Sequence, residues 1–230
     1  MGPFRLGRIV LAGMVVAAAC RESTGPGMTV VPGAITWIEW PAAVSLGQVA
    51  SVRVSSIEWC GYQTVYGVAV RGTEVHVTAE ARARSDMVCL QGGGSGAGFD
   101  TVLALPQLGT GGSGSFVPYM LWAPVPGPAY GGFGRPTERM LGYVEAGGTD
   151  TSTHFAGIVS LALDSLGCWR AQPLSAPPIP RWAFARPLAL APASAGRRAF
   201  LVGRFVAESP AACGDARAIA PLTLEVDATP

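Results

Sequence analysis

The sequence predicts an all-β protein, and three observations carry that prediction. Apolar residues recur with period two along much of the 230-residue chain, which is the spacing of side chains on one face of a strand. Gly, Pro and Ser clusters separate these short runs at intervals typical of β-sandwiches. No long segment has the 3.6-residue periodicity of an amphipathic helix. We therefore expect short strands packed as sheets, in one large or two small domains.

The first 19 residues have the features of a secretory signal peptide. Arg5 and Arg8 stand at its basic start, and an apolar run follows over 9–19. That run is too short to cross a bilayer core, which needs about 20 residues, and it ends in small side chains. We expect cleavage after residue 19, which suits both an ordinary signal peptidase site, Ala17-Ala18-Ala19, and a lipoprotein site.

The residues Ala18-Ala19-Cys20 resemble the lipobox of bacterial lipoproteins, in which the cysteine becomes the first residue and carries the lipid. The resemblance implies that Cys20 is acylated and that the polar segment 20–27 is a flexible tether. Arg21 follows the cysteine where inner-membrane lipoproteins of Gram-negative bacteria commonly have aspartate, which favours the outer membrane. We expect an exported protein that is lipid-anchored in the cell envelope. A soluble exported protein with an unpaired cysteine is the alternative.

The other four cysteines are predicted to form disulfides. The chain has five cysteines, so acylation of Cys20 leaves an even number that can all pair in an oxidising compartment. Local pairing joins Cys60 to Cys89 and Cys168 to Cys213, although other pairings remain open. We expect no metal site, because none of the four lies in a Cys-x-x-Cys motif and the chain has two histidines.

The charge balance argues against nucleic acid as a partner. Removal of residues 1–19 takes two arginines with it and leaves 14 basic and 15 acidic residues, with no lysine. A chain so close to neutral has no electrostatic reason to bind nucleic acid or an anionic surface. The absence of lysine also excludes a phosphate-binding loop of the usual kind, so we expect no cofactor.

The segment 28–123 has the pattern of a β-sandwich. In 73–83, Val and Ala alternate with polar residues, which predicts a half-buried antiparallel strand. Arg71-Gly72 before it predicts a tight turn and a hairpin with 65–70. This order, with a cysteine before and after the hairpin and the later run 103–109, is similar to the immunoglobulin-like modules of bacterial envelope lipoproteins. The resemblance implies a scaffold rather than an activity.

The segment 124–137 is dense in Pro and Gly, which predicts a linker. Single β-domains can be as long as this chain. A long loop inside one larger β-domain is therefore the alternative interpretation of this segment.

The segment 138–230 contains five predicted strands and ends in a third resemblance. Phe200-Leu-Val-Gly-Arg-Phe-Val206, then a cysteine and a last strand, are similar to the end of small OB-fold-like barrels in exported bacterial proteins. The resemblance implies an OB-like β-barrel with a long connection after its third strand. A second sandwich is the alternative. The predicted strands cover 139–145, 155–163, 168–174, 198–206 and 217–227.

The sequence contains no recognisable catalytic constellation, and we assign no catalytic residue. Ser95 and Ser113 lie in glycine-rich runs that lack the strand–turn–helix context of a nucleophile elbow, so flexible turns are favoured. The two histidines are His76, on the polar face of a predicted strand, and His154, in a predicted loop. Neither has a nucleophile and an orienting group beside it in sequence.

Trp37 and Trp40 are candidates for a ligand platform, of the kind that holds a carbohydrate or an apolar ligand. They lie three residues apart, so on a strand their side chains point to opposite faces. On the platform interpretation, one ring lies in the core and the other is exposed. Core packing is the favoured interpretation, because tryptophans dominate burial in small domains.

The sequence therefore predicts a lipid-anchored, exported, non-enzymatic β-protein that acts in binding, adhesion or envelope assembly. Its expected partners are the membrane, through the N-terminal lipid, and an unidentified envelope protein or glycan. An exported hydrolase with an unlocated site is the alternative. Oligonucleotide binding by an OB-like barrel is disfavoured by the near-neutral charge.

Overall fold

The structure, a computed structural model, describes residues 27–57, 63–84, 98–109, 116–126, 136–174, 180–207, 213 and 217–227. These residues form fourteen strands and one 3₁₀ turn, and the all-β prediction is confirmed. The strands are β1 (Met28–Pro32), β2 (Trp37–Pro41), β3 (Ala43–Val44), β4 (Ser51–Ile57), β5 (Gln63–Arg71), β6 (Glu74–Arg84), β7 (Gly98–Ala104), β8 (Val117–Val125), β9 (Thr137–Ala146), β10 (Thr153–Leu163), β11 (Trp169–Pro173), β12 (Trp182–Phe184), β13 (Arg198–Val206) and β14 (Ala218–Val226). The 3₁₀ turn is Pro192–Ser194.

Sheet A contains six strands, with β6 at its centre. β5 and β6 form the predicted antiparallel hairpin, and Gly72 in its turn has a φ of 60°, a left-handed conformation that glycine adopts without strain. β6 buries Val75, Val77 and Ala79, as the alternation of its sequence predicts. β1 and β8 also pair with β6, β9 pairs with β8, and β3 pairs with β9.

Sheet B contains eight strands and runs β7–β4–β2–β10 before it closes into a barrel. β10 pairs with β13, β13 with β14, and β14 runs parallel to β12. β12 pairs with β11, which returns to β10 and completes a ring of five strands. The small barrel predicted for the C-terminal part of the chain is therefore present.

β10 and β13 each contribute side chains to two cores, because successive residues of a strand point to opposite faces. On β10, Phe155 and Val159 point into the barrel, whereas Ala156 and Ile158 point toward sheet A. On β13, Leu201 belongs to the barrel core and the side chains on either side of it face sheet A. The sandwich and the barrel are therefore built on common strands.

β2 lies unusually close to β10 at Gly157. A Cβ atom at that position would stand 2.4 Å from the Trp37 Cβ and 2.6 Å from the Thr36 carbonyl oxygen. The Ile158 N–H donates to the same Thr36 carbonyl at 2.8 Å. Glycine is therefore required where the N-terminal strands join the barrel, since any side chain would force the two backbones apart.

The predicted linker over 124–137 does not separate two independent domains. β8 and β9 form one antiparallel pair in sheet A, from Val117 opposite Ala146 to Val125 opposite Thr137, so both ends of the predicted linker belong to paired strands of the same sheet. β2 also pairs with β10 across the predicted boundary. The division into 28–123 and 138–230 is corrected accordingly, because both regions contribute strands to both sheets.

The number of barrel strands is as predicted, but their identity is not. The predicted first strand, 139–145, is part of β9 and belongs to sheet A. The barrel strand that the prediction omitted is β12, which lies in the proline-rich interval before β13. Three residues are too few to show a periodicity, so the sequence gives no strand signal there.

The disulfide between Cys168 and Cys213 is confirmed. The two residues lie 5.7 Å apart at Cα and pack with Ala183 of β12. Arg170 supports the crosslink, since its guanidinium donates to the Cys213 carbonyl at 2.7 Å and to Asp164 at 2.8 Å. The predicted disulfide partners Cys60 and Cys89 lie outside the described residues, as do the predicted signal peptide, Cys20 and all of the predicted tether 20–27 except Gly27.

Candidate functional site

The segment 147–152, between β9 and β10, separates two clefts at the end of the sandwich. The larger, of about 660 Å³, lies between this segment, the end of β2 and the start of β4. We call it the hydroxyl cleft, because five hydroxyl side chains line it: Ser45, Ser51, Thr149, Thr151 and Thr153. The second, of about 550 Å³, lies between β9 and β14 and is called the histidine cleft after His154. Asp150 lines both clefts.

The hydroxyl cleft exists because the chain changes sheets after β2. At Pro41 the chain leaves sheet B, and two residues later it pairs with β9 of sheet A as β3. Backbone hydrogen bonds hold this crossover, from the Ala42 N–H to the Ser152 carbonyl at 2.8 Å and from the Glu145 N–H to the Ala42 carbonyl at 2.9 Å. The walls of the cleft are therefore fixed by main-chain contacts on both sides of the crossover.

Glu39 is the most unusual side chain of the hydroxyl cleft. It lies on β2 between two buried apolar residues, and its side chain is only 12% exposed. Burial raises its pKa, and the positive charges of Arg217 and Arg53 oppose that shift in part. The nearest of these, Arg217 Nη1, is 3.6 Å from Glu39 Oε1, which is beyond normal hydrogen-bond distance. Among the described residues, no hydrogen bond to the Glu39 carboxylate is found.

Arg53 stands beside Glu39 but is already engaged. Its Nε donates to both carboxylate oxygens of Asp100, at 2.9 and 3.0 Å, and Nη2 also contacts this carboxylate. The hydrogen bond to Asp100 raises the pKa of Arg53, which keeps the guanidinium charged. The guanidinium carbon also lies 5.2 Å from the centre of the Trp37 ring. The carboxylate of Glu39 is thus left as an acceptor that faces the cleft.

The histidine cleft brings together His154, Asp150 and Arg204. The His154 ring meets the edge of Trp40 at 5.4 Å, and its buried Nδ1 has no hydrogen-bond partner among the described residues. Burial lowers the pKa of His154, so the ring is neutral at pH 7. The Ser152 N–H, which donates to Asp150 Oδ1 at 2.8 Å, lowers the pKa of Asp150. Arg204 lies 3.7 Å from the same carboxylate.

His76 lies on the outer face of sheet A, away from both clefts. The alternation of β6 predicts an exposed side chain, but the ring is only 14% exposed because Trp122 stacks against it at 6.2 Å. Nδ1 contacts Glu138 at 2.6 Å and Nε2 contacts Glu74 at 3.1 Å. The bond to Glu138 is the main cause of a raised pKa. Both ring nitrogens are therefore occupied by carboxylates, which favours a structural role.

The burial of Trp37 and Trp40 agrees with core packing, which the sequence favours over a ligand platform. The two rings do point to opposite faces of β2, as their spacing predicts, but each face meets a core. Trp37 packs against Phe155 in the barrel, and Trp40 packs in the sandwich with its Nε1 donating to the Tyr143 carbonyl at 3.2 Å. Both rings are buried, and Trp40 is also among the residues that line the hydroxyl cleft.

Among the residues that line the two clefts, Trp40 and His154 are the candidates that the sequence also singles out. The strongest signal in retrospect is Glu39, since a carboxylate inside the apolar strand Trp37-Ile-Glu-Trp40 has to be paired or to face a cavity. Ser95 and Ser113 lie outside the described residues. Within the described ranges, no three His, Cys, Asp or Glu side chains come together as metal ligands.

Comparison with protein-family models, with curated proteins and with solved structures finds no match to this chain. In the part of the chain that the structure describes, no helix has the length and apolar character needed to span a bilayer. The functional proposals below therefore depend on the residues of this chain and their arrangement.

Proposed function

We propose that the chain is an exported, lipid-anchored binding protein without enzymatic activity, and that its hydroxyl cleft binds a neutral glycan. The lipobox-like Ala18-Ala19-Cys20 and the confirmed disulfide support export to an oxidising compartment. The observation that carries the binding proposal is Glu39, a poorly solvated carboxylate that faces the cleft with unfilled acceptor capacity.

A ligand with hydroxyl donors supplies the hydrogen bonds that the Glu39 carboxylate lacks among the described residues. The Glu39 side chain is only 12% exposed, and a ligand O–H would give its carboxylate a hydrogen bond to a charged group, which contributes about 1.5–3 kcal/mol. The surrounding Ser and Thr hydroxyls both donate and accept, which suits a ligand that does the same. The cleft volume of about 660 Å³ also lies within the usual range for small-ligand sites.

The charge and the rim of the cleft favour a neutral ligand over an ionic one. Asp100 neutralises Arg53, and Arg217 lies opposite Glu39, so the cleft has no uncompensated charge of either sign at that end. Val49 and Val102, exposed by 70% and 63%, form an apolar rim. A pyranose ring has both an apolar face for such a rim and hydroxyls for the floor.

Lipid anchoring is tested separately from ligand binding. Several acyl chains hold a protein durably, because each buried methylene contributes about 0.8 kcal/mol. Cys20→Ser should move the protein from the membrane fraction to the soluble fraction and abolish labelling with a radioactive fatty acid. Unchanged fractionation of the variant would exclude acylation of Cys20.

Glycan binding is tested by calorimetric titration with neutral, anionic and cationic oligosaccharides. Glu39→Ala removes the acceptor and should weaken binding of the neutral ligand by roughly tenfold or more, since a hydrogen bond to a charged group contributes about 1.5–3 kcal/mol. The matched control is Glu80→Ala, an exposed carboxylate on the outer face of sheet A. Equal affinity of both variants, or preference for a charged oligosaccharide, would count against the proposal.

Hydrolysis of a glycan is the second candidate function, and one observation favours it. Glu39 and Asp150 line the same cleft, and their pKa values are shifted in opposite directions, by burial for Glu39 and by the Ser152 N–H for Asp150. Opposite shifts of this kind separate a general acid from an ionised carboxylate in glycosidases. Turnover of nitrophenyl glycosides that disappears in Glu39→Gln would favour this function over binding alone.

A further inference from the structure

A third depression, on the barrel, has a different chemistry from the two clefts. It has a volume of about 630 Å³ and lies between the segment after β12, the end of β13 and the start of β14. We call it the arginine pocket, because Arg186 and Arg204 line it and no acidic side chain does so among the described residues. It adjoins the histidine cleft, with which it shares Arg204 and Ala220.

The two guanidinium groups are available to a ligand. Arg186 is exposed, and no ion pair or hydrogen bond to it is found in the part of the chain that the structure describes. The Arg204 side chain is 48% exposed, and its nearest carboxylate, Asp150, lies at 3.7 Å on the side of the histidine cleft. The charge of Arg186 is uncompensated among the described residues and that of Arg204 is compensated in part by Asp150, so the pocket has a positive potential. Guanidinium groups bind carboxylates and phosphates through paired N–H donors.

The rest of the pocket is apolar. Leu188, Val206 and Pro221 are its larger apolar side chains, and alanines complete the wall. A register shift between Val202 and Gly203 brings Gly203 opposite Pro221, and such an irregularity bends the strands and redirects their side chains. A ligand in this pocket therefore has an apolar body beside its negative charge.

We propose that the arginine pocket binds an amphiphilic anion, a carboxylate or phosphate monoester attached to an aliphatic chain. Arg186 and Arg204 hold the anionic group, and the apolar wall holds the chain. The same chemistry occurs in a membrane lipid with an anionic headgroup and in a free fatty acid or alkyl phosphate. This site is distinct from the hydroxyl cleft, since none of its lining residues belongs to that cleft.

The test is calorimetric titration of the full-length mature protein with octyl phosphate and octanoate below their critical micelle concentrations. Octyl glucoside, which has the chain without the charge, and inorganic phosphate, which has the charge without the chain, are the comparison ligands. Both octyl anions should bind more tightly than either comparison ligand. Equal binding of octyl glucoside would overturn the role of the arginines, and equal binding of inorganic phosphate would overturn the role of the apolar wall.

The variants Arg186→Gln and Arg204→Gln should each weaken binding of octyl phosphate by roughly tenfold or more, because each removes a charge-assisted hydrogen bond to the anionic group. Arg181→Gln is the matched control, because Arg181 is also exposed near β12 but lies outside the pocket. Affinity should also fall as the salt concentration rises. Unchanged affinity in both pocket variants would refute the proposal, and circular dichroism verifies that each variant is folded.

Two further measurements identify the source of the ligand and distinguish the arginine pocket from the hydroxyl cleft. Binding to phosphatidylglycerol vesicles as well as to octyl phosphate indicates a membrane lipid, whereas binding to octyl phosphate alone indicates a free amphiphile; both support the site. The same protein is titrated with the neutral glycan. Glycan binding without anion binding refutes only this inference, and the reverse result refutes only the function proposed for the hydroxyl cleft.

Discussion

The barrel core and the sandwich core are filled by different kinds of side chain. Half of the buried residues of the barrel core are aromatic. Trp182 lies at the centre, with its ring 4.7 Å from Phe155 and 4.8 Å from Phe205, each time edge to face. The sandwich interior is mainly aliphatic, with many Val, Ile, Leu and Ala side chains from both sheets. Strands that curl into a small ring leave a rounded space that a few large rings fill, whereas two stacked sheets leave a flat layer that many medium-sized side chains fill.

The largest expected effect comes from removing one ring of the barrel core. Phe155→Ala should lower the free energy of unfolding by about 3–5 kcal/mol, because a cavity remains where the ring contacted Trp182, Phe205 and Trp37. Ile158→Val, on the sandwich face of the same strand, should cost only about 0.5–1.5 kcal/mol. Chemical denaturation measures both. Similar costs for the two variants would contradict the contrast between the cores.

The disulfide tests whether the two regions unfold separately. Replacing Cys168 and Cys213 by alanine should cost about 2–4 kcal/mol and lower Tm by roughly 4–16 °C. Since β10 and β13 belong to both cores, we expect the whole melting transition to shift as one. If calorimetry resolves two transitions, and only the barrel transition shifts when the disulfide is removed, the two regions unfold independently.

The junction between the two regions is tested at Gly157. An added methyl group collides with the backbone of β2, so Gly157→Ala should cost about 1–3 kcal/mol. Gly196→Ala is the control for the substitution itself, because its Cβ meets no atom within 4 Å, although its φ of 84° adds some strain. Denaturation midpoints of the two variants give the comparison. If Gly157→Ala leaves the free energy of unfolding unchanged, β2 and β10 can move apart with little loss of stability.

The smallest effects come from the two histidines, and they have opposite signs. Burial depresses the pKa of His154, so its contribution to stability is present above pH ~6.5 and is lost as the pH falls. Glu138 and Glu74 raise the pKa of His76, so its contribution is complete below pH ~6.5 and is lost as the pH rises through the raised value.

The measurement compares unfolding free energies of wild type, His154→Gln and His76→Gln between pH 5 and pH 9. Relative to wild type, His154→Gln should lose less stability on acidification, and His76→Gln should lose less on alkalinisation. Proton NMR titration of the two rings gives their pKa values directly. Parallel pH profiles for the two variants would refute the opposite assignments.

The local elements of this fold are predictable from the sequence, but the pairing between distant strands is not. Period-two patterning identifies the hairpin of β5 and β6 and the full extent of β13, because each strand displays its two faces in its own residues. That patterning does not identify a strand's partner: it predicts a barrel strand over 139–145, whereas β9 pairs with β8 in sheet A. The clefts are not predictable for the same reason, since Glu39 and Asp150 line one cleft only because the chain crosses between the sheets after β2.

The pairing of β2 with β10 has a consequence for how the chain reaches its native state. A polypeptide is made from its N-terminus, so residues 37–41 emerge long before their neighbours at 153–157 exist. Until then, Trp37 and the edge of β2 that pairs with β10 remain exposed, and contacts between such distant segments form slowly. A half-finished chain of this design is prone to associate with other chains through that open edge. The interval between the synthesis of β2 and that of β10 is therefore the stage at which this chain is most exposed to aggregation.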